Sequence, residues 1–337
     1  MRGRAAGLLF FMCAMLSAQP LWVRAQSLPI VLPAGDAPVV RVMMRSGTLT
    51  VRIWNRSDVQ VTSAQPVSAR SFRPEAVAQA LTRSVTIFAT TVFVPNGTII
   101  LPPEEFALAP LTAAPHAGVL IQALDANVIV MLPQGTALLL ATVQRGRIDV
   151  QDYRNGTFAL LLRNGGMRLR NVGGTGYAQV ARGQIMVRDS SFDRLRARTA
   201  IGNIVFENVT SKQIEVSSFN GTILYDNGSF QPGLARFESA NGSVAIGVGN
   251  GNVQIRAHSS VGRIYSTLGG ASIRAGQTDA QVGNSGSVVT ASSSHGAVYL
   301  YNGALRSQRR LPASWAPLAG LVQRRPPASR PVRGRIH

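Results

Sequence analysis

The acids that could do chemistry in the repetitive middle of this 337-residue chain are few: Asp149, Asp152, Asp189, Asp193, Glu207, Glu215, Asp226, Glu238 and Asp279. Polysaccharide hydrolases work with paired carboxylates set across one face. No Gly-Asp-Asp or Asn-x-Asp group supplies such a pair here. Glu104 and Glu105 are adjacent, but neighbours along an extended chain point apart, and His116 is the only histidine near them in sequence. His116, His258, His295 and His337 are too widely separated to gather a metal, and the single cysteine, Cys13, lies near the N-terminus. Nucleophile elbows, P-loops and metal motifs are absent from the sequence. These residues predict a protein that is not an enzyme and uses no cofactor or metal. The alternative is a carbohydrate-active β-helix enzyme of lyase or hydrolase type, which would need two or three acids gathered on one face.

A second set of short polar residues recurs at a fixed offset. Asp152, Asn171, Asp189, Asn208, Asn227 and Asn302 each stand six positions after a glycine. A calcium row is one reading, but calcium wants several carboxylates converging within one loop, and four of these six are Asn. The stronger reading is a structural ladder. Asn and Asp tolerate left-handed backbone geometry and bond neighbouring backbone groups, and stacked copies would align them.

The elements that position these residues follow from the glycines themselves. Gly146, Gly165, Gly183, Gly202, Gly221, Gly242, Gly262 and Gly296 are spaced by 19, 18, 19, 19, 21, 20 and 34 residues. The last interval is about twice 17 and is expected to hold one degraded turn. Two residues after each glycine stand Ile148, Met167, Ile185, Ile204, Ile223, Val244, Ile264 and Val298. Five residues before stand Ala141, Leu160, Ala178, Ala197, Val216, Phe237, Ala257 and Ala291. Apolar positions alternate within each segment, which is the period of a strand. A unit of two short strands cannot bury its apolar side alone and must stack on its copies. The predicted fold is therefore all-β: a single-chain parallel β-solenoid (β-helix) with coils of about 19 residues, rising about 4.8 Å per coil.

The flanks divide the rest. Residues 1–25 carry Arg2 and Arg4, an apolar run from Ala5 to Ala18, and Val23-Arg24-Ala25 ahead of Gln26, which predicts a secretory signal peptide cleaved between Ala25 and Gln26. Residues 26–37 read as a linker, 38–142 as an N-terminal β-rich part with irregular loops, 143–303 as the regular repeats, and 304–337 as a flexible tail rich in Arg and Pro. The formal net charge is +19, and Lys212 is the only lysine. Arg309, Arg310, Arg324, Arg325, Arg330, Arg333 and Arg335 place a block of this charge in the tail, where they are candidates for contact with an anionic partner. The partners expected are envelope polysaccharide, anionic lipid headgroups or a surface protein. Nucleic acid is not expected, since the tail lacks interleaved aromatics, and no later stretch is long enough to span a membrane. An exported protein, periplasmic, secreted or at the cell surface, is the predicted location.

The opening segment Ser46–Val61, SGTLTVRIWNRSDVQV, resembles the bacterial putative-adhesin family, a β-solenoid domain of unknown function. Its members begin with a Gly-x-hydrophobic-x-hydrophobic strand, a Trp-Asn/Asp-Arg turn and a second strand. The later units GRIDV, GQIMV, GNIVF and GTILY resemble that family's repeated strands, so the likeness covers roughly residues 38–303. The resemblance implies an exported, repetitive β-solenoid without enzymatic activity, acting as a structural or adhesin-like interaction module at the cell envelope. A scaffold or sensor of an envelope complex is a further alternative. The family motif defines no catalytic or binding residue, so none is carried over.

Overall fold

A computed structural model describes residues 29–34, 37–63, 118–249, 253–268, 279–282, 287–305 and 318. The signal segment with Ala25 and Gln26, the Glu104–Glu105 pair, His116, His337 and the seven tail arginines lie outside the described residues.

Strand succeeds strand along the chain: β1 (Ile30–Pro33), β2 (Val39–Trp54), β3 (Asp58–Ser63), β4 (Gly118–Asp125), β5 (Val128–Pro133), β6 (Leu138–Gln151), β7 (Gly156–Arg170), β8 (Gly173–Ile201), β9 (Ile204–Asn220), β10 (Ile223–Phe230), β11 (Leu234–Asn241), β12 (Val244–Val248), β13 (Val253–Ser259), β14 (Ile264–Ser266), β15 (Asp279–Val282), β16 (Ser287–Ser293) and β17 (Val298–Asn302). All belong to one hydrogen-bonded sheet that is mostly parallel and not closed into a barrel. The antiparallel pairs are β1–β3, β3–β5 and β13–β15.

The register follows the glycines. Across successive parallel pairs the residue two past the glycine meets its counterpart: Leu49↔Ile148, Ile148↔Met167, Met167↔Ile185, Ile185↔Ile204, Ile204↔Ile223 and Ile223↔Val244. This column is buried throughout and forms the spine of the core. Aliphatic residues suit it because each side chain must pack against one neighbour above and one below. Where one level brings a large ring, the next gives way. Gly176 faces Phe158 across β7 and β8, and a Cβ on Gly176 would lie 2.0 Å from the Phe158 ring.

Stacking order departs from chain order at both ends. The first long strand, β2, lies between β4/β5 on one side and β6 on the other. At the far end, β16 and β17 lie between β11/β12 and β13/β14. Among the described residues the 34-residue interval before Gly296 holds β14, the short antiparallel strand β15 and β16. The chain passes β13 and β14, returns through antiparallel β15, and inserts its last strands one level inward. Glycine stacking gives the same order: a Cβ on Gly296 would meet the Gly242 carbonyl, and one on Gly262 would meet that of Gly296.

Candidate functional site

Two positions with positive φ recur in register along the strands, and their chemistry differs. The first corner is the glycine. Gly165 has φ +137°, and its Cα lies so near the next level that an added Cβ would be 1.7 Å from the Gly146 carbonyl oxygen. Behind this corner runs a column of buried hydroxyls three residues before the glycine. Ser218 Oγ donates to Gly202 O at 3.2 Å, Ser239 to Gly221 at 2.9 Å, Ser293 to Gly242 at 2.7 Å and Ser259 to Gly296 at 2.8 Å. Sequence reasoning missed this column because earlier repeats carry Val143, Leu162 and Val180 there. The signal was the Ser/Thr at 199, 218, 239, 259 and 293.

The second corner carries the predicted row. Asp152, Asn171, Asp189, Asn208 and Asn227 all adopt left-handed backbone, with φ between 51° and 63°. Side chains link neighbours along it: Asn171 Nδ2 donates to Asp152 Oδ1, Asn208 Nδ2 to Asp189 Oδ1 at 3.0 Å, and Asn227 Nδ2 to Asn208 Oδ1 at 2.7 Å. Asn302 faces Val248, the residue six past Gly242, on the neighbouring level, and is not among the left-handed residues; Gly303 beside it has φ 71°. Beside the row lies an open cleft of about 510 Å³, lined among others by Arg154, Asn171, Asp189, Asp193, Asn208 and Lys212. It offers donors and acceptors of both charges, with Lys212 Nζ 2.6 Å from Asp193.

Most of the other repeat acids are held by cations or amides. Glu207 pairs with Arg188 at 3.0 Å and Glu238 with Arg236 at 2.5 Å. Glu215 takes Arg196 at 2.6 Å and Arg198 at 2.8 Å; burial raises its pKa, but the two guanidinium bonds outweigh this and hold it below the usual range. Asp149 is half-buried on the outer side of β6, where burial pushes its carboxyl up against the opposing pull of Arg147 and Arg168. Asp226 is buried and accepts from Tyr301 Oη at 2.8 Å and from the Leu305 amide at 2.7 Å. Asp279 pairs with His258 in register across β15 and β13. Among the described residues no group of three His, Cys, Asp or Glu is placed to hold a metal.

Asp226 belongs to a second apolar cluster on the outer side of the sheet: Val205, Leu224, Ala245, Tyr299 and Tyr301, with Leu305 and Leu318. Two residues of the segment that the sequence assigns to a tail, Leu305 and Leu318, are thus packed on the strands. The resemblance motif is also ordered. Trp54 Nε1 donates to Asp58 O at 2.8 Å, and the Arg56 guanidinium lies 5.1 Å from the Trp54 ring centroid, which closes the turn from β2 to β3.

No family model matches the chain, and no curated protein does. Among solved structures, a putative cell adhesion protein from Clostridium sporogenes is similar at 9% identity and a TM-score of 0.25, covering 82% of this chain and 100% of that one. Among the described residues no helix is long and apolar enough to cross a membrane.

Proposed function

We propose that this chain is an exported, non-enzymatic parallel β-solenoid, wound in coils of about 19 residues, that serves as an adhesin-like structural or interaction module at the bacterial cell envelope. One observation carries the reading. Register is kept from level to level, so outward residues form columns along the stack as regularly as inward ones do. Such a surface is linear, repetitive and rigid, which suits a polymer or another extended partner better than a small substrate. The acids support the non-enzymatic part, since most are engaged by Arg, Lys, Asn or backbone amide rather than paired with each other.

The test is a binding screen of the full chain against glycans and envelope fractions, run with and without residues 304–337. Binding that survives removal of those residues assigns it to the strands, and binding that vanishes assigns it to the tail arginines. Absence of binding in both forms ends the adhesin-like reading. The enzymatic alternative centres on the cleft with Asp189 and Asp193. It predicts release of new sugar ends from a polysaccharide, lost in Asp189→Asn or Asp193→Asn. Such turnover would overturn the proposal.

A further inference from the structure

Charge is unevenly spread along the stack. Residues 138–188 hold eight Arg and no Lys against two Asp, a surplus of six, whereas residues 189–249 hold four Arg and one Lys against six acids. The surplus also has a side. Arg147, Arg168 and Arg170 are exposed and alternate with the buried Ile148, Met167 and Leu169, which puts them on the outer surface of β6 and β7. Exposed Arg52 stands on the preceding level in register with Gln151, which in turn faces Arg170, and Arg170 faces Arg188 on the following level. Arg145 and Arg182 are also exposed, just before their glycines.

The residues between the arginines matter as much. Thr48, Thr50, Gln151 and Gln184 fill outward positions of these levels, while the two outward rings are already engaged, Trp54 with Asp58 O and the Arg56 guanidinium and Tyr177 buried against Ala159 and Leu161. The exposed large apolar residues, Val31, Ile201, Phe219, Leu234 and Val261, lie elsewhere. A membrane surface would be met by apolar or aromatic side chains that enter it, and single-stranded nucleic acid by stacking rings. A flat face of guanidiniums interleaved with amides and hydroxyls suits a chain of hydroxyls and regularly placed anions. Arginine forks bind carboxylates in pairs of parallel bonds, and on strands about 4.8 Å apart the column Arg52, Gln151, Arg170, Arg188 sets guanidiniums two levels apart and then on adjacent levels.

We propose that the outer face of β2, β6, β7 and the first half of β8 binds a linear polysaccharide bearing carboxylates, with Arg147, Arg168 and Arg170 at its centre. This rests on the interaction-module reading above and names its ligand class and site. Asp149 is the acid set between Arg147 and Arg168 on this face, and it opposes the ligand.

The experiment measures retention of the full chain on polygalacturonate, with neutral dextran, phosphatidylglycerol vesicles and duplex DNA as parallel probes. Arg147→Gln/Arg168→Gln/Arg170→Gln raises the half-saturating polygalacturonate concentration about tenfold, the sum of three modest surface charge contacts. Arg194→Gln/Lys212→Gln/Arg236→Gln, which removes equal charge from the other half, changes it by less than about twofold. Asp149→Asn tightens binding, an effect that a purely structural role for the face would not produce. Arg168→Gln alone gives a smaller loss in the same direction, should the triple variant lose its circular dichroism signal. Equal losses in both triple variants, loss only when residues 304–337 are removed, or three-arginine-dependent binding to vesicles or DNA without binding to polygalacturonate would each overturn the proposal. If polygalacturonate fails while envelope fractions still bind, the ligand assignment falls and the broader reading stands. If both fail, both fall.

Discussion

Gly165 and Gly166 are neighbours in sequence, and the same substitution at each has opposite expected results. At Gly165 the backbone has φ +137°, and an added Cβ would stand 1.7 Å from Gly146 O and 2.8 Å from its carbon. Ordinary contact begins near 3.4 Å, so the neighbouring level must retreat by about 1.7 Å. Retreat stretches the hydrogen bonds flanking the corner. A strained φ costs about 1–3 kcal/mol, and forced backbone displacement adds about 1–3 kcal/mol. Gly165→Ala is therefore expected to destabilise by about 2–6 kcal/mol. At Gly166 the only neighbour of a new Cβ is Gln184 Cγ at 4.0 Å, with no positive φ. Gly166→Ala should be neutral or stabilise by up to about 1 kcal/mol, since alanine restricts the unfolded chain. Urea unfolding followed by far-UV circular dichroism reads both as midpoint shifts. Two variants whose unfolding free energies lie within about 0.5 kcal/mol of each other would refute the stacked-glycine argument.

Three further outcomes can be checked on the same instrument. Asn208→Ala removes the bonds to Asp189 and from Asn227 and places alanine at φ 55°, for a loss of about 2–3 kcal/mol; Asn208→Gly, which relieves only the backbone, should recover part of it. Ser293→Ala deletes a buried hydroxyl bonded to Gly242 O at 2.7 Å and should cost about 1–2 kcal/mol in urea unfolding. Tyr153, Tyr225 and Tyr301 all have phenol pKa values raised, foremost by burial, and for Tyr301 also by Asp226. The folded chain then holds these protons after the unfolded chain has lost them, so their stabilising effect is complete below about pH 10 and declines as pH rises beyond it. Tyr225→Phe should flatten the alkaline loss of stability, and an unchanged slope would count against the burial argument.

The strand period was legible because a two-residue alternation and a glycine every 18 to 21 residues leave few alternatives. The paired columns from Ile148 to Val244 follow from counting alone. Stacking order at the ends was not legible. A strand with the right register fits any level, and nothing local in Val298–Asn302 says that it precedes Ile264 in the stack. Asn302 keeps the six-residue offset from its glycine and meets Val248, which stands six past Gly242, so an apolar residue interrupts the row there. Outward Tyr299 and Tyr301 gave no sign of burial, because the residues that cover them, Leu305 and Leu318, are distant in period and flanked by Arg and Pro. The arginine side of β6 and β7 was hidden by the net charge, which does not distinguish one flank or one half from the other.

The exchanged order at the two ends bears on how the molecule comes apart and how it lengthens. Repeat stacks usually peel from their termini, where the last unit has a single neighbour. Here β2 is gripped on both sides by β4/β5 and β6, and β16/β17 by the levels either side. Removing β2 or the β16/β17 pair must extract a strand from between two others, so the load is shared by two ladders at once. Duplication of a repeat can then extend the stack only between the two clasps, leaving both ends unchanged while the body between them grows.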